Sequence, residues 1–330
     1  MNDFLVGILN SINAIVNNYG WAIVVFTVLI KVALFPLDYK SRKSMRKMQT
    51  VQPEVSRLQK KYANDKDKLN QKTMELYRRE KINPMMGCVP MLLSMPVLFA
   101  MFAAMRLIAN TELAKQAIDL ITTGVQTNEG WLWVKNLWMP DSPFATMIAD
   151  QSSLSQIGVD IWAKVFAGLD ATKVAALANL GDGLAITAEN INAETIFAAL
   201  SQSTIYTSEI QRWAVMPELN LIFTKLTIFA QPNGWFLLPI LAAATQFLMT
   251  MFQPQPAPAG DSQAASTNKM MKYFFPLFSL FICFSYNAGF ALYWVASNLI
   301  AGVQGYALNK YFDAQEKKSI SGAADGGAMK

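Results

Sequence analysis

The stretch GWAIVVFTVLIKVALFPL, Gly20 to Leu37, is 18 residues long and carries one charge, Lys31. The hydrocarbon core of a bilayer takes about 17–25 apolar residues in a helix, so this segment is long enough to span. A lysine inside it costs about 2.5–3.5 kcal/mol on insertion scales, and something must offset that cost. Two readings are open. At about 1.5 Å per residue, Lys31 lies about 9 Å from Leu37, so its amine can snorkel to the interface. Alternatively, Lys31 faces a watered cavity inside a helix bundle. Thr27 lies one turn before it on the same face, and Val24 and Gly20 continue that stripe.

Composition widens this reading to the whole chain. Of 330 residues, 53% are hydrophobic and 15% charged, and the mean hydropathy is +0.23. These values predict an all-α polytopic membrane protein. Histidine is absent, and the two cysteines, Cys88 and Cys283, both lie in apolar segments. Neither a disulfide framework nor a metal cluster is supported. Charge is segregated: residues 38–83 hold 14 Lys/Arg against 6 Asp/Glu, and residues 111–234 hold 6 against 12. The positive-inside rule places the first region in the cytoplasm and the second outside. Such segregation marks loop orientation and gives no sign of nucleic-acid recognition.

In chain order, residues 1–19 carry no Lys or Arg, so no cleavable signal peptide is expected. Phe4, Leu5, Ile8, Leu9, Ile12, Ile15 and Val16 follow helical spacing opposite four asparagines, which predicts an amphipathic helix on the outer interface. The first span covers 20–37. Residues 38–83 form a cytoplasmic helical hairpin, broken at Ala63-Asn64-Asp65 and short of apolar seam. A second span, 84–107, is rich in methionine (Met85, Met86, Met91, Met95, Met101, Met105) and contains Pro90 and Pro96. Its thioethers suit either an adaptable partner surface or ordinary packing. Residues 108–144 include Trp131, Trp133 and Trp138, which read as an interfacial anchor. An extracytoplasmic insertion at 145–233 shows short helical patterns. A third span, 234–253, leads through a Pro/Gln-rich linker, 254–272, to 37 uncharged residues from Tyr273 to Asn309. Ser285 to Gly289 divide these into two short spans, 273–286 and 289–308. A cytoplasmic tail, 309–330, ends in Gly/Ala/Ser-rich disorder. The count is five spans, N-terminus outside and C-terminus in the cytoplasm.

Polar residues inside the spans are costly without partners, so their faces should converge on each other or on water. Gln246 and Thr250 repeat the spacing of Thr27 and Lys31. In the last span Tyr293, Ser297, Ala301 and Gln304 form one stripe, with Trp294 and Asn298 beside it. For Ser297 and Asn298, glue between helices serves as well as a cavity. No carboxylate lies in any expected span to pair Lys31, so an unpaired lysine points to water.

These residues resemble the YidC/Oxa/Alb membrane protein insertase family over most of 20–145 and 234–310. The resemblance rests on the charged first span ending Phe35-Pro36-Leu37, on Met48-Gln49 through Gln52-Pro53, and on Leu292-Tyr293-Trp294 with Ser297-Asn298-Leu299. Its most specific part is the run from Tyr77 through Glu80-Lys81-Ile82-Asn83-Pro84, Gly87-Cys88 and Pro90 to Met95-Pro96. Lys31 stands where the family usually has arginine. A further departure is the separation of Trp138-Met139-Pro140-Asp141 from Phe236-Leu237-Leu238-Pro239 by roughly 90 residues, which places the insertion outside the resemblance. The resemblance implies five helices around a hydrophilic groove in a bacterial cytoplasmic membrane. Its groove residues would be Lys31, Thr27, Gln246, Tyr293, Trp294, Ser297, Asn298 and Gln304, with Met95 and Leu98 on a hydrophobic slide. It implies no cofactor, no metal and no enzymatic step. Partners would be nascent membrane proteins and the lipid bilayer, with the Sec translocon, ribosome or signal recognition particle reached through the hairpin. A small-solute or ion transporter using Lys31 as a binding charge is the alternative. Against it, the expected spans hold no acid or histidine for coupling, and no inverted repeat is seen.

Overall fold

The computed structural model of the chain describes residues 2–83, 89–181, 183–211, 219–220, 225–252 and 270–327. Residues 84–88 of the expected second span, 253 of the third and 254–269 of the linker lie outside them. The described chain is mostly helical. Helix α1 is Asn2–Val16, α2 Tyr19–Thr50, α3 Gln52–Lys61, α4 Lys66–Arg79 and α5 Val89–Thr123. Five short helices follow: α6 Gln151–Ser155, α7 Val159–Ala167, α8 Ala171–Ala178, α9 Ala193–Gln202 and α10 Thr204–Glu209. A minimal antiparallel pair, β1 Leu219–Asn220 and β2 Lys225–Leu226, sets Leu219 against Leu226. Then come α11 Leu237–Phe252, a π-turn at Met270–Phe274, α12 Phe275–Ser285 and α13 Ala288–Gly327. Two helices, α2 and the stretch Met95–Thr123 of α5, are long and apolar enough to cross a membrane. Shorter apolar helices include Leu237–Phe252 and Lys272–Ser285.

The chain divides into two compact units. The first comprises residues 1–26, 100–242 and 280–294. Its framework is α5 from residue 100 onward; the whole helix, at about 1.5 Å per residue, is about 52 Å long, well beyond a hydrocarbon core of about 30 Å. The sequence reading ends the second span at 107. The helix instead runs on to Thr123, because Leu113, Ala114, Ala117, Ile118 and Leu120 recur at helical spacing and are all buried. Met101 and Met105 are likewise core, 1% and 0% exposed, which removes them from any partner surface. Trp138 is also buried, 2% exposed, edge-on to Tyr19 at 5.0 Å. It is a core residue and not the expected interfacial anchor; Trp21 and Trp235 are exposed instead.

The insertion leaves and returns at one place. Asn233 donates from Nδ2 to the carbonyls of Asn136, Met139 and Pro140 at 2.9, 3.1 and 2.9 Å, and its Oδ1 accepts the Asn136 N–H at 2.7 Å. The Asn233 N–H reaches the Ala145 carbonyl at 2.8 Å. Asp141, fully buried, then caps α11: Oδ1 accepts from the N–H groups of Trp235 (2.8 Å) and Phe236 (3.2 Å), and Oδ2 from Leu238 (2.6 Å). Trp133 Nε1–H adds a fourth bond at 3.1 Å. A carboxylate here satisfies orphan donors and opposes the positive end of the helix dipole. A Cβ on Gly234 would run into it, so glycine is required at that approach. Between these ends, α6 to α10 bury Leu154, Trp162, Val165, Leu177, Ile196, Leu200 and Tyr206. Asp150, Asp170, Asn192 and Ser203 cap α6, α8, α9 and α10 in turn. Lys173 pairs with Asp119 of α5 at 2.7 Å. Near the start of α2, the Tyr19 N–H donates to Glu129 at 2.5 Å, and burial pushes that carboxyl above the usual carboxylate range.

The second unit comprises residues 27–99, 243–279 and 295–330. Helix α2 continues through Pro36 to Thr50, beyond the expected span end at 37. Proline removes one backbone donor, which membrane helices tolerate. Helices α3 and α4 pack as a pair around Val55 and Leu76, with Arg79 bonded to Glu54 at 2.9 Å. Asp65 caps α4 by accepting the Lys68 N–H at 3.0 Å, so the expected break coincides with a cap. The tail, whose Gly/Ala/Ser-rich end reads as disorder, is helical in α13 to Gly327. Leu308 and Phe312 are buried and Arg46 pairs with Asp313, which hold these turns of the helix.

Candidate functional site

On α2, from Ala22 to Leu29, one face is buried and the opposite face exposed. Ile23, Phe26 and Thr27 are buried, whereas Val25, Val28, Leu29, Val32 and Phe35 are exposed. Lys31 is half-buried and lies about 40° from Thr27 around the helix. No carboxylate among the described residues is within ion-pair distance of it. On α11, Thr245, Gln246 and Thr250 are buried, and Thr250 Oγ1 donates to the Gln246 carbonyl at 2.8 Å. On α13, Asn298 is buried with Nδ2 lacking an acceptor among the described residues, while Ser297 and Gln304 are half-buried. A buried amide donor without a partner is costly, and water in a polar hollow would relieve it.

The second unit therefore gathers Thr27, Lys31, Gln246, Ser297, Asn298 and Gln304, together with Met95 and Leu98. Met95 is exposed and Leu98 half-buried. Tyr293 and Trp294 belong to the first unit. There Tyr293 is buried, and the Trp294 ring lies 5.6 Å from that of Phe290. Among the described residues no group of three His, Cys, Asp or Glu side chains is placed to hold a metal ion.

Sequence reasoning missed Arg42. It is 5% exposed, its Nε donates to Asp38 Oδ2 at 2.8 Å, and Nη1 donates to the Phe252 carbonyl at 3.4 Å. Asn309 Nδ2 donates to that same carbonyl at 3.1 Å. The signal was present: Thr27, Lys31, Asp38 and Arg42 are spaced 4, 7 and 4 apart, which keeps all four within about 60° on one helix face.

Two helices long and apolar enough to cross a membrane, in a described chain that is mostly helical, mark an all-α membrane protein. Comparison with known proteins narrows this class. The model of the 60Kd inner membrane protein family matches residues 11–169 and 193–316, and the chain belongs to that family. The match takes in 145–169 and 193–233, which sequence reading had set outside the resemblance; 170–192 alone falls between the matched stretches. A relative from Fusobacterium nucleatum, named membrane protein insertase YidC, is 48% identical over 106 residues, 32% of this chain and 52% of the relative. One of the same name from Anaeromyxobacter dehalogenans is 41% identical over 145 residues, 44% of this chain and 24% of the relative. A third, from Rickettsia massiliae, is 27% identical over 296 residues, 90% of this chain and 36% of the relative. The matched stretches thus span 24% to 52% of the length of these relatives.

Proposed function

We propose that the chain is a membrane protein insertase, as the names of its relatives say of them, and that it works without an enzymatic step. Five spans, 20–37, 84–107, 234–253, 273–286 and 289–308, surround a hydrated groove, with the N-terminus outside and the C-terminus in the cytoplasm. The observation that carries this reading is Lys31: a half-buried cation on α2, unpaired by any described carboxylate, in one unit with Thr27, Gln246 and Asn298. A hydrated groove shortens the apolar path that the polar tail of a substrate must cross. Lys31 attracts acids in that tail, by about 3 kcal/mol at about 5 Å and an effective dielectric of about 20. Ser297 and Gln304 complete the polar lining, and Met95 and Leu98 guide the emerging helix toward lipid. The hairpin of α3 and α4, exposed and held by a small apolar seam, recruits the ribosome or targeting factors. The transporter alternative gains no support from relatives named as insertases.

Reconstitution into liposomes with a single-span substrate tests the mechanism. Lys31→Arg retains insertion. Lys31→Glu slows a substrate with an acidic extracytoplasmic tail on the order of tenfold, about 1.4 kcal/mol, and affects a neutral tail less. Equal rates for folded Lys31→Glu and wild type on the acidic tail would refute the capture step.

A further inference from the structure

On the polar stripe of α2, Lys31 and Asp38 are seven residues apart, about 10.5 Å along the axis and about 20° apart around it. A lysine stem and an aspartate leaning toward each other close most of that gap. Among the described residues, Asp38 and Arg42 are the charged side chains that act on the Lys31 ammonium, and they have opposite signs. Left to itself, Asp38 would be an internal rival to any acidic substrate for Lys31. It is not left to itself. Arg42 holds it at 2.8 Å, and the guanidinium is fixed from three sides. Its Nη1 donates to the Phe252 carbonyl, the terminal one of α11. It is buried, and Gly305 of α13 lies so close that a Cβ there would come 2.9 Å from Nη1. A guanidinium built in this way cannot follow Asp38 toward Lys31, so Asp38 stays at the arginine.

We propose that Arg42 is a positioning residue that holds the Asp38 carboxylate away from Lys31, keeping the Lys31 ammonium available to an acidic segment of the substrate. This rests on the reading of Lys31 as the groove cation. The rival is purely structural: Arg42 only ties the end of α11 to α2. The two differ in what happens when Asp38 is also neutralised, since that restores nothing at Phe252.

The test compares wild type, Arg42→Gln, Asp38→Asn, the double variant and Lys31→Ala in proteoliposomes, each with acidic-tailed and neutral-tailed single-span substrates. Arg42→Gln slows the acidic-tailed substrate on the order of tenfold and the neutral-tailed one by less than about twofold, the size of one lost favourable charge contact. Adding Asp38→Asn brings the acidic-tailed rate back to within about twofold of wild type, although the Phe252 contact is still missing. Arg42→Lys, a milder change that keeps the cation but loses the planar fork, shows a smaller slowing that Asp38→Asn also relieves. Equal slowing of both substrates, no slowing at all, or a double variant as slow as Arg42→Gln overturns the proposal. If Lys31→Ala slows the acidic tail while the double variant is not rescued, only the role of Arg42 has failed. If Lys31→Ala has no effect on the acidic tail, the groove-cation reading has failed and this proposal with it.

Discussion

Replacing Asp141 by asparagine separates a charged cap from a merely polar one. The four bonds to Asp141 divide evenly: Oδ1 accepts from Trp235 and Phe236, and Oδ2 from Leu238 and Trp133. Asparagine keeps one acceptor oxygen, so at best two of the four donors remain satisfied. Its NH₂ group then faces the other two as donor against donor. Each buried donor left unsatisfied costs about 1–3 kcal/mol, and the loss of charge weakens the bonds that remain. The site is 0% exposed, so water does not readily take over. The expected loss is therefore about 3–5 kcal/mol. Equilibrium unfolding in mixed micelles measures it, with the exposed Leu132→Ala as a control for handling. The four donors belong to one cluster, so Trp133→Phe in the Asp141→Asn background should cost less than in wild type. A loss under about 1 kcal/mol for Asp141→Asn, or strict additivity with Trp133→Phe, would refute the claim that this carboxylate anchors α11.

Two other outcomes follow from different parts of the chain. Burial, joined by Glu112 and opposed by the bond from Tyr19, holds the Glu129 carboxyl above its ordinary range. Because its folded value is raised, the folded state binds the proton more tightly. Stability therefore falls as pH rises from the ordinary glutamate range through the raised value. Glu129→Gln should flatten that slope in thermal unfolding between about pH 4 and 8, and an unchanged slope would contradict it. For orientation, single cysteines at Asn64 and Lys164 in a cysteine-free background should label from the cytoplasmic and the outer face respectively. Reversed accessibility would overturn the charge-based topology.

Much of the helical content was readable from local signals. An apolar run such as 20–37 announces a helix because side-chain transfer energies add along the chain, whatever the rest of the molecule does. The break before α4 was readable because Asp65 acts on its own neighbour, the Lys68 N–H. Thr27 and Lys31 were found as a stripe, and Arg42 could have been found by extending the same stripe two more steps. The lengths of α5 and α13 were not readable. Whether a helix stops at the membrane surface depends on what buries its next turns, and the partners of Leu113, Ile118 and Phe312 come from elsewhere in the chain. Trp138 read as an interfacial anchor because tryptophan suits that position in general; packing against Tyr19, more than a hundred residues earlier, took it inside. Asp141 and α11 meet across more than 90 residues, and Arg42 and Phe252 across 210. A buried polar group is stabilised by whichever donor or acceptor the folded chain delivers to it. Sequence spacing records only neighbours, so those long-range pairings were settled by tertiary structure alone.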